Sequence, residues 1–448
     1  MDAEERAEVV RRLTSHMANE GVKFLQLQFM DLMGRVKSIV LPVEEAQRAL
    51  QGGWAFDGSS VAGYATIEES DLIAIPDLKT FLIEPWTEGE MRTARCICDI
   101  YTPSGEEFAG DPRRVLKKVI ARAAEKGWTF NTGPEFEFFL FRRDEDGNPT
   151  TRLDDHGTYF DLMPLEHSDA IRKKVVAYCR QIGYPVDSSH HEVAPSQHEI
   201  DLVYSDALTI ADRIATLKYA IKTVAAQHGL FASFMPKPIY GMCGNGMHIH
   251  LSIADEDGHN LFSDNNGPRG LSPMAMSFVA GLLTHARETC AILNSTVNSF
   301  KRIVPGFEAP CYIAWASHNR SALVRIPAGK GKAARVELRN PDPAGNPYLQ
   351  LALILASGMD GVERKLEPPA SVEKDIFRMT EEERKKHGIA SLPGNLGHAM
   401  TFMEESKFVK EVLGEHIVTN LLHVNWAEYK EYETQVTQWE YDHLLPVL

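Results

Sequence analysis

The chain has 448 residues, 44% hydrophobic and 24% charged, too long for one core to organise and too apolar for a large disordered fraction, so a small and a large folded domain are expected. A formal net charge of −15 opposes nucleic acid and anionic membrane as partners, because repulsion acts at every encounter. Six cysteines without paired spacing exclude a disulfide framework or zinc ribbon and fit reduced thiols in the cytoplasm; the N-terminus shows neither a signal segment nor an apolar run of spanning length.

Val9, Val10, Leu13 and Met17 recur at helical spacing before Gly21, which predicts an amphipathic helix over about 4–20. Leu25, Leu27 and Phe29 alternate with glutamines, and Asp31 to Gly34 turn the chain into 36–40, a hairpin pattern. Thr102-Pro103-Ser104-Gly105 ends the strand pattern, and Asp111-Pro112 caps a helix running to Gly127. The domain boundary is therefore expected near 107, giving domains 1–107 and 108–448.

Beyond it come a strand at 128–142, a helix near 168–182, strands flanking 190–204 and a long helix over 208–228. Strands near 231–253 and a helix near 273–293 follow. Without regular βαβ alternation, the larger domain is expected to be α+β on an antiparallel or mixed sheet.

In Gly133-Pro134-Glu135-Phe136-Glu137 the strand's period of two sends both carboxylates to one face. Alone, Glu-x-Glu reads as the solvated face of a half-buried strand. His190-His191-Glu192 and Glu199 add carboxylates and imidazoles beside Pro195, and Gly244-Asn245-Gly246 leads into a strand carrying His248 and His250. With Glu337, one histidine among many carboxylates matches magnesium or manganese better than zinc.

Between 301 and 339 the charge balance inverts: Lys301, Arg302, Arg320, Arg325, Lys330, Lys332, Arg335 and Arg339 face only Glu308 and Glu337. Arginine's planar fork suits carboxylate and phosphate, and no P-loop or G-x-G-x-x-G is present, so nucleotide binding would rest on metal and arginine. The residues alone reach a magnesium-dependent phosphoryl transfer involving a carboxylate.

FDGSS (56–60), GPEFEFFLF (133–141), HHEVAPSQHE (190–199), KRIVPGFEAP (301–310), NRSALVRIP (319–327) and RVELRNPDPAGNPYL (335–349) together resemble type I glutamine synthetase, over nearly the whole chain. The resemblance implies an N-terminal β-grasp domain and a catalytic domain with a curved antiparallel sheet flanked by helices. It also implies a dodecamer of two hexameric rings with active sites between subunits. By motif, Glu137, Glu192 and Glu199 hold one metal and Glu135, His248 and Glu337 a second, so at least two magnesium or manganese ions serve each site.

The resemblance assigns Arg302 to the α-carboxylate of glutamate, Arg339 to the region of its γ-carboxylate, and Arg320, Arg325 and Arg335 to ATP phosphates and the transferred group. Tyr204, His250, Ser252 and Lys332 match nucleotide positions, and Gly244 a glutamate contact. Asp57, Ser60, Tyr159, Glu192 and Glu308 form the implied ammonium site, with Asp57 as base and Glu308 on a lid that excludes water. The implied reaction is γ-phosphoryl transfer to glutamate, then attack of ammonia on the acyl phosphate.

The chain departs from the family pattern in reading Cys243-Gly244-Asn245-Gly246-Met247-His248 where Asn-Gly-Ser-Gly-Met-His is usual. No tyrosine lies between Thr380 and Met400, so regulation by adenylylation is not expected. Tyr64-Ala65-Thr66-Ile67-Glu68-Glu69 lacks the arginine through which one branch senses glutamine. The rival readings are a γ-glutamyl ligase for a larger amine, a silent regulatory relative, and a guanidino-phosphotransferase; Asp57 and Glu308 favour ammonium.

Overall fold

A computed structural model describes residues 2–64 and 70–448; the expected loss of glutamine sensing falls on 65–69, outside the described residues. Helix α1 (Ala3–Asn19) starts where the Asp2 side chain accepts from the Glu4 and Glu5 amides, and buries Val10 and Met17. Strands β1 (Phe24–Met30) and β2 (Val36–Pro42) form the expected hairpin, with Phe24 opposite Pro42. Helix α2 (Ala46–Gly52) leads to β3 (Trp54–Asp57), β4 (Asp71–Pro76), β5 (Leu82–Ile83) and β6 (Thr93–Tyr101).

These strands form one sheet in the order β2-β1-β6-β4-β3, with β5 on β6. The β1–β6 pair is parallel and β3 is an edge strand ending at Asp57. Cys96 and Cys98 sit two apart in β6, both buried, which is the packing role their spacing predicts.

Helix α3 (Pro112–Ala124) begins at the Asp111 cap with proline in its first turn. Its Arg113 guanidinium ties the two sheets' surroundings together, donating to Asp77 at 2.9 Å and Asp99 at 2.7 Å on one side and Asp212 at 2.8 Å on the other. Asn346 Nδ2 donates to the Asp31 carbonyl at 2.9 Å, a second tie between the two parts of the chain.

The larger sheet is built on β7 (Thr129–Arg143), with β8 (Pro149–Leu153) against its far end. After helix α4 (Asp169–Gln181) come β9 (Val186–His191), β10 (Gln197–Leu202) and the short β11 (Ser205–Asp206). Helix α5 (Ala207–Gln227) precedes β12 (Leu230–Ser233) and β13 (Met247–Ala254).

The helix expected near 273–293 is divided: α6 covers Pro273–Thr284 and α7 Cys290–Leu293. His285 ends α6, both of its ring nitrogens donating to carboxylates, those of Glu288 and Asp360, and the chain turns there. The continuous apolar pattern concealed a break made by a polar side chain that finds its partners off the helix axis.

After α8 (Ser299–Arg302) the strands β14 (Tyr312–Ala316), β15 (Ala322–Arg325), β16 (Val336–Leu338) and β17 (Ala390–Ser391) complete the order β17-β14-β15-β16-β13-β7-β10-β9. Pairing is antiparallel except between β14 and β15. The apolar helix α9 (Pro347–Glu363), buried along most of its length, packs with α6, α5 and α3 on one side of this sheet. The architecture is α+β, as expected.

Candidate active site

Strand register gathers the acidic residues. Across β10–β7 Glu199 faces Glu137 and Asp201 faces Glu135; across β7–β13 Glu135 faces His248; across β13–β16 His250 faces Glu337. Because these positions differ by even numbers along their strands, the side chains emerge on one face. His190 extends the row from β9, its Nε2 3.1 Å from Glu199 Oε1.

Two clusters of potential ligands result: Glu135, His248 and Glu337, and His190, Glu192 and Glu199. His248 Nδ1 is 2.8 Å from Glu135 Oε2 and 3.7 Å from Glu337 Oε1, and His250 Nε2 is 2.7 Å from Glu135 Oε1. Burial opposes charge on Glu135, but the His248 and His250 hydrogen bonds hold its carboxyl well below the usual range. Glu337, buried beside His248, His250 and the guanidinium of Arg339 at 3.2 Å, is also lowered; Arg325 contacts it too.

The other cluster has the opposite character. Burial first, then Asp201, Glu135 and Glu192, push Glu199 up to about 11, and burial with Glu192 and Glu199 raises Glu137 well above the carboxylate range. Glu137 is held in place by Gln197 Nε2 at 2.9 Å and the Gly246 amide at 2.8 Å, both neutral donors. Among the described residues no lysine or arginine forms an ion pair with Glu137, Glu192 or Glu199. Crowded, buried and uncompensated oxygens are a donor set suited to a hard divalent cation.

A cleft of about 260 Å³ takes in Glu135, Glu137, Glu192, Glu199, His248 and Glu337 together with Tyr159, Gly244, Arg302, Glu308, Arg320, Arg325 and Arg339. Arg302 is 3% exposed, and its guanidinium donates to the carbonyls of Asn340 at 2.8 Å and Arg339 at 3.2 Å, with no ion-paired carboxylate among the described residues. A Cβ on Gly246 would lie 2.5 Å from Arg302 Nη2, so glycine is what lets the guanidinium approach the cluster.

A second cavity, of about 550 Å³, is lined by Tyr204, His250, Ser252, Lys332 and Arg335 and shares Glu135 and Asp201 with the first. Its mixed apolar and polar wall, with Leu202, Val203 and Leu251, has room for a nucleoside, while its inner end opens on the carboxylates. Arg335 Nε lies 3.2 Å from His250 Nδ1.

Asp57 and Ser60, expected at a site formed between subunits, do not line the cleft within the single chain. They lie exposed at the end of edge strand β3, on the other sheet, where Asp57 caps its own turn. Its carboxylate accepts from the Ser59 hydroxyl at 2.6 Å, the Ser60 hydroxyl at 2.8 Å and the Ser59 amide at 2.9 Å, contacts that lower its pKa. Tyr159, Glu192 and Glu308 are the ammonium-site residues that this chain itself brings to the cleft.

Sequence reasoning missed Asp201, which lines both cavities. Glu199-x-Asp201 repeats the two-residue spacing of Glu135-x-Glu137 and carried the same signal. It also gave no role to Gln197, whose side chain meets that of Asn245 at 3.3 Å behind Glu137.

The family model for the glutamine synthetase catalytic domain matches residues 109–444, and that for the glutamine synthetase β-grasp domain matches 21–103. The glutamine synthetase of Clostridium saccharobutylicum is 48% identical over 425 residues, covering 95% of this chain and 96% of its own. That of Halobacterium salinarum is 46% identical over 436 residues, 97% of this chain and 96% of its own. Among solved structures, a GmaS/ADP complex superposes with a TM-score of 0.88 at 33% identity, over 97% of this chain and 99% of that one.

Proposed function

The chain belongs to the glutamine synthetase family, and from that premise we propose how its own residues divide the work of joining ammonia to glutamate. The overall activity is ATP-dependent ligation, giving glutamine, ADP and phosphate. A γ-glutamyl ligase for a larger amine is not favoured, since the curated relatives that span the whole chain are glutamine synthetases.

One observation carries the assignment of roles. Buried carboxylates without an ion-paired lysine or arginine and a buried arginine without an ion-paired carboxylate line one cleft, which shares Glu135 and Asp201 with the larger cavity. Glu137, Glu192 and Glu199 would hold one divalent cation, and Glu135, His248 and Glu337 another. Magnesium or manganese bound there supplies neutralising charge for phosphate oxygens.

ATP enters the larger cavity, its base beside Tyr204 and Ser252 and its phosphates toward His250, Lys332 and Arg335. Glutamate occupies the smaller one, its α-carboxylate on Arg302 near Gly244 and its γ-carboxylate toward Arg339. A γ-carboxylate oxygen attacks the terminal phosphorus, the bond to the β-phosphate oxygen breaks, and ADP leaves with the electron pair. Arg320, Arg325 and Arg339 surround the charge that develops.

Ammonium binds among Tyr159, Glu192 and Glu308 and gives up a proton to a carboxylate; its nitrogen then attacks the acyl carbon, the bond to the phosphate oxygen breaks with the electron pair leaving on phosphate, and the new amide gives up its second proton to phosphate. Asp57 is assigned as that base. It reaches the cleft only from a second copy of the chain, with Ser60 beside it, so the working enzyme is a homo-oligomer, proposed here as a dodecamer of two rings. The boundary near 107 would separate the domain that lends Asp57 from the domain that receives it.

No described helix is long and apolar enough to cross a membrane, and the protein is placed in the cytoplasm on the composition of its cysteines and its substrates. The test is product analysis with ATP, glutamate and magnesium, offering ammonium or putrescine. Glutamine with ammonium that is lost in D57A supports the reading, whereas product only with putrescine overturns it.

A further inference from the structure

Glu308 stands on a short loop whose backbone is left-handed at two places, Gly306 with φ 95° and Glu308 itself with φ 59°. A non-glycine residue in that region is held there by its surroundings. The Arg339 guanidinium reaches the Glu308 carbonyl only at 3.5 Å, a weak contact for holding a loop. The neighbouring Phe307 has a stronger one: the Lys237 ammonium lies 3.6 Å from the centre of its ring.

Lys237 is an unusual lysine, only 8% exposed. Its ammonium donates to the Met242 carbonyl and otherwise faces the Phe307 ring; no carboxylate pairs with it among the described residues. Its own backbone is clamped, the amide donating to Asn298 Oδ1 at 2.7 Å and the carbonyl accepting from Asn298 Nδ2 at 3.0 Å. The stem runs beside Gly244, where a Cβ would come within 3.3 Å of Lys237 Cδ and collide with the Pro236 carbonyl.

A buried cation fixed at its base thus touches the 242–246 segment with one hydrogen bond and the Glu308 loop with its charge. We propose that Lys237 is a positioning residue that clasps Phe307 and so holds the Glu308 loop shut over the acyl phosphate, coupling the Gly244 segment to closure. This rests on the acyl-phosphate reading given above. A desolvated cation over a ring face is among the stronger contacts of its kind, and nothing comparable holds the loop from the other side among the described residues.

The consequence of loosening the clasp is chemical. When water reaches the intermediate, its oxygen attacks the acyl carbon, the bond to phosphate oxygen breaks, phosphate leaves with the electron pair, and glutamate returns with release of a proton. ATP is then spent without glutamine. A merely structural lysine would lower phosphate and glutamine together; a clasp changes their ratio.

The experiment measures phosphate released per glutamine formed, at limiting ammonium, in the full-length enzyme carrying K237M, F307L, K237R or F307Y. Wild type should give a ratio near one. K237M and F307L should raise the excess of that ratio over one roughly five- to thirtyfold for a contact of this class, while K237R and F307Y, which keep a cation over a ring, stay near wild type. An excess over one in K237M no larger than in wild type, or equal leakage in K237R, overturns the clasp; if K237M does not fold, F307L on the partly exposed loop decides. Wild type that makes no glutamine would instead sink the reading on which the clasp rests.

Discussion

Glu135 stands opposite His248 in the β7–β13 register, and His248 Nδ1 lies 2.8 Å from Glu135 Oε2. That contact keeps one carboxylate of the site charged, while burial among like charges pushes its neighbour Glu199 up to about 11. The two halves of the site therefore start from opposite protonation states.

Metal binding should accordingly release protons. Glu199 and Glu137 are raised, so their contribution to stability is present in acid and fades as pH rises toward the folded pKa; the metal-free protein is weakened by alkali and the metal-loaded one is not. Magnesium affinity should tighten with pH, and titration calorimetry in buffers of different ionisation enthalpy should detect the protons. E199Q should melt within a few degrees of wild type without metal and lose most of the magnesium-induced gain in Tm. Proton release as large in E199Q as in wild type would speak against Glu199 as the source.

A second pH effect lies far from the cleft. Glu84 is fully buried, accepts from the Trp86 indole at 3.0 Å and from Gln28 at 3.3 Å, and burial lifts it to about 7 against the pull of Arg95. The folded protein binds a proton that the unfolded one releases near pH 4.5, so stability from this group is complete in acid and lost as pH climbs through about 7. The loss is of the order of 3 kcal/mol. E84Q is neutral at every pH and keeps one oxygen to accept from the Trp86 indole, so its urea midpoint relative to wild type should shift in its favour from pH 5 to pH 8; a constant difference would refute this.

Asp57 and Glu308 belong to one proposed ammonium site, although Asp57 lies outside its own chain's cleft. Two inactive variants, D57A and E308A, should therefore rescue each other when unfolded together and reassembled. With random assortment about a quarter of the sites combine an intact Asp57 from one chain with an intact Glu308 from another. Activity near that fraction is expected, and none at all would place both residues in one chain's site.

Much of this was legible because a strand's period of two is rigid. Glu135, Glu137, Glu199, His248 and Glu337 could be put on common faces from spacing, and the sheet register brings them together. What spacing does not contain is a partner's identity: it showed neither that Lys237 meets Phe307 nor that Arg113 collects three aspartates from both sheets' surroundings. Nor did the apolar run over 273–293 reveal the break at His285, which depends on Glu288 and Asp360.

Asn245, which replaces the serine usual in the family motif, is the departure the structure explains. It is fully buried; its Nδ2 donates to the carbonyl of Met235 at 3.0 Å, its amide to that of Pro236 at 2.8 Å, and its Oδ1 accepts from Gln197 Nε2 at 3.3 Å. Gln197 in turn donates to Glu137 Oε2 at 2.9 Å, so Asn245 stands two hydrogen bonds from a proposed metal ligand. N245A leaves the Met235 carbonyl without the Asn245 donor, which costs about 1–3 kcal/mol, while Gln197 Nε2 keeps Glu137 Oε2 at 2.9 Å and the Gly244 carbonyl at 3.1 Å. The substitution should lower Tm and also weaken magnesium binding, because Gln197 loses one of the three acceptors that orient its amide beside Glu137. N245S, too short to span the same gap, should fall between N245A and wild type in Tm. A loss of Tm in N245A with magnesium affinity unchanged would confine Asn245 to packing the loop and cut its link to the site.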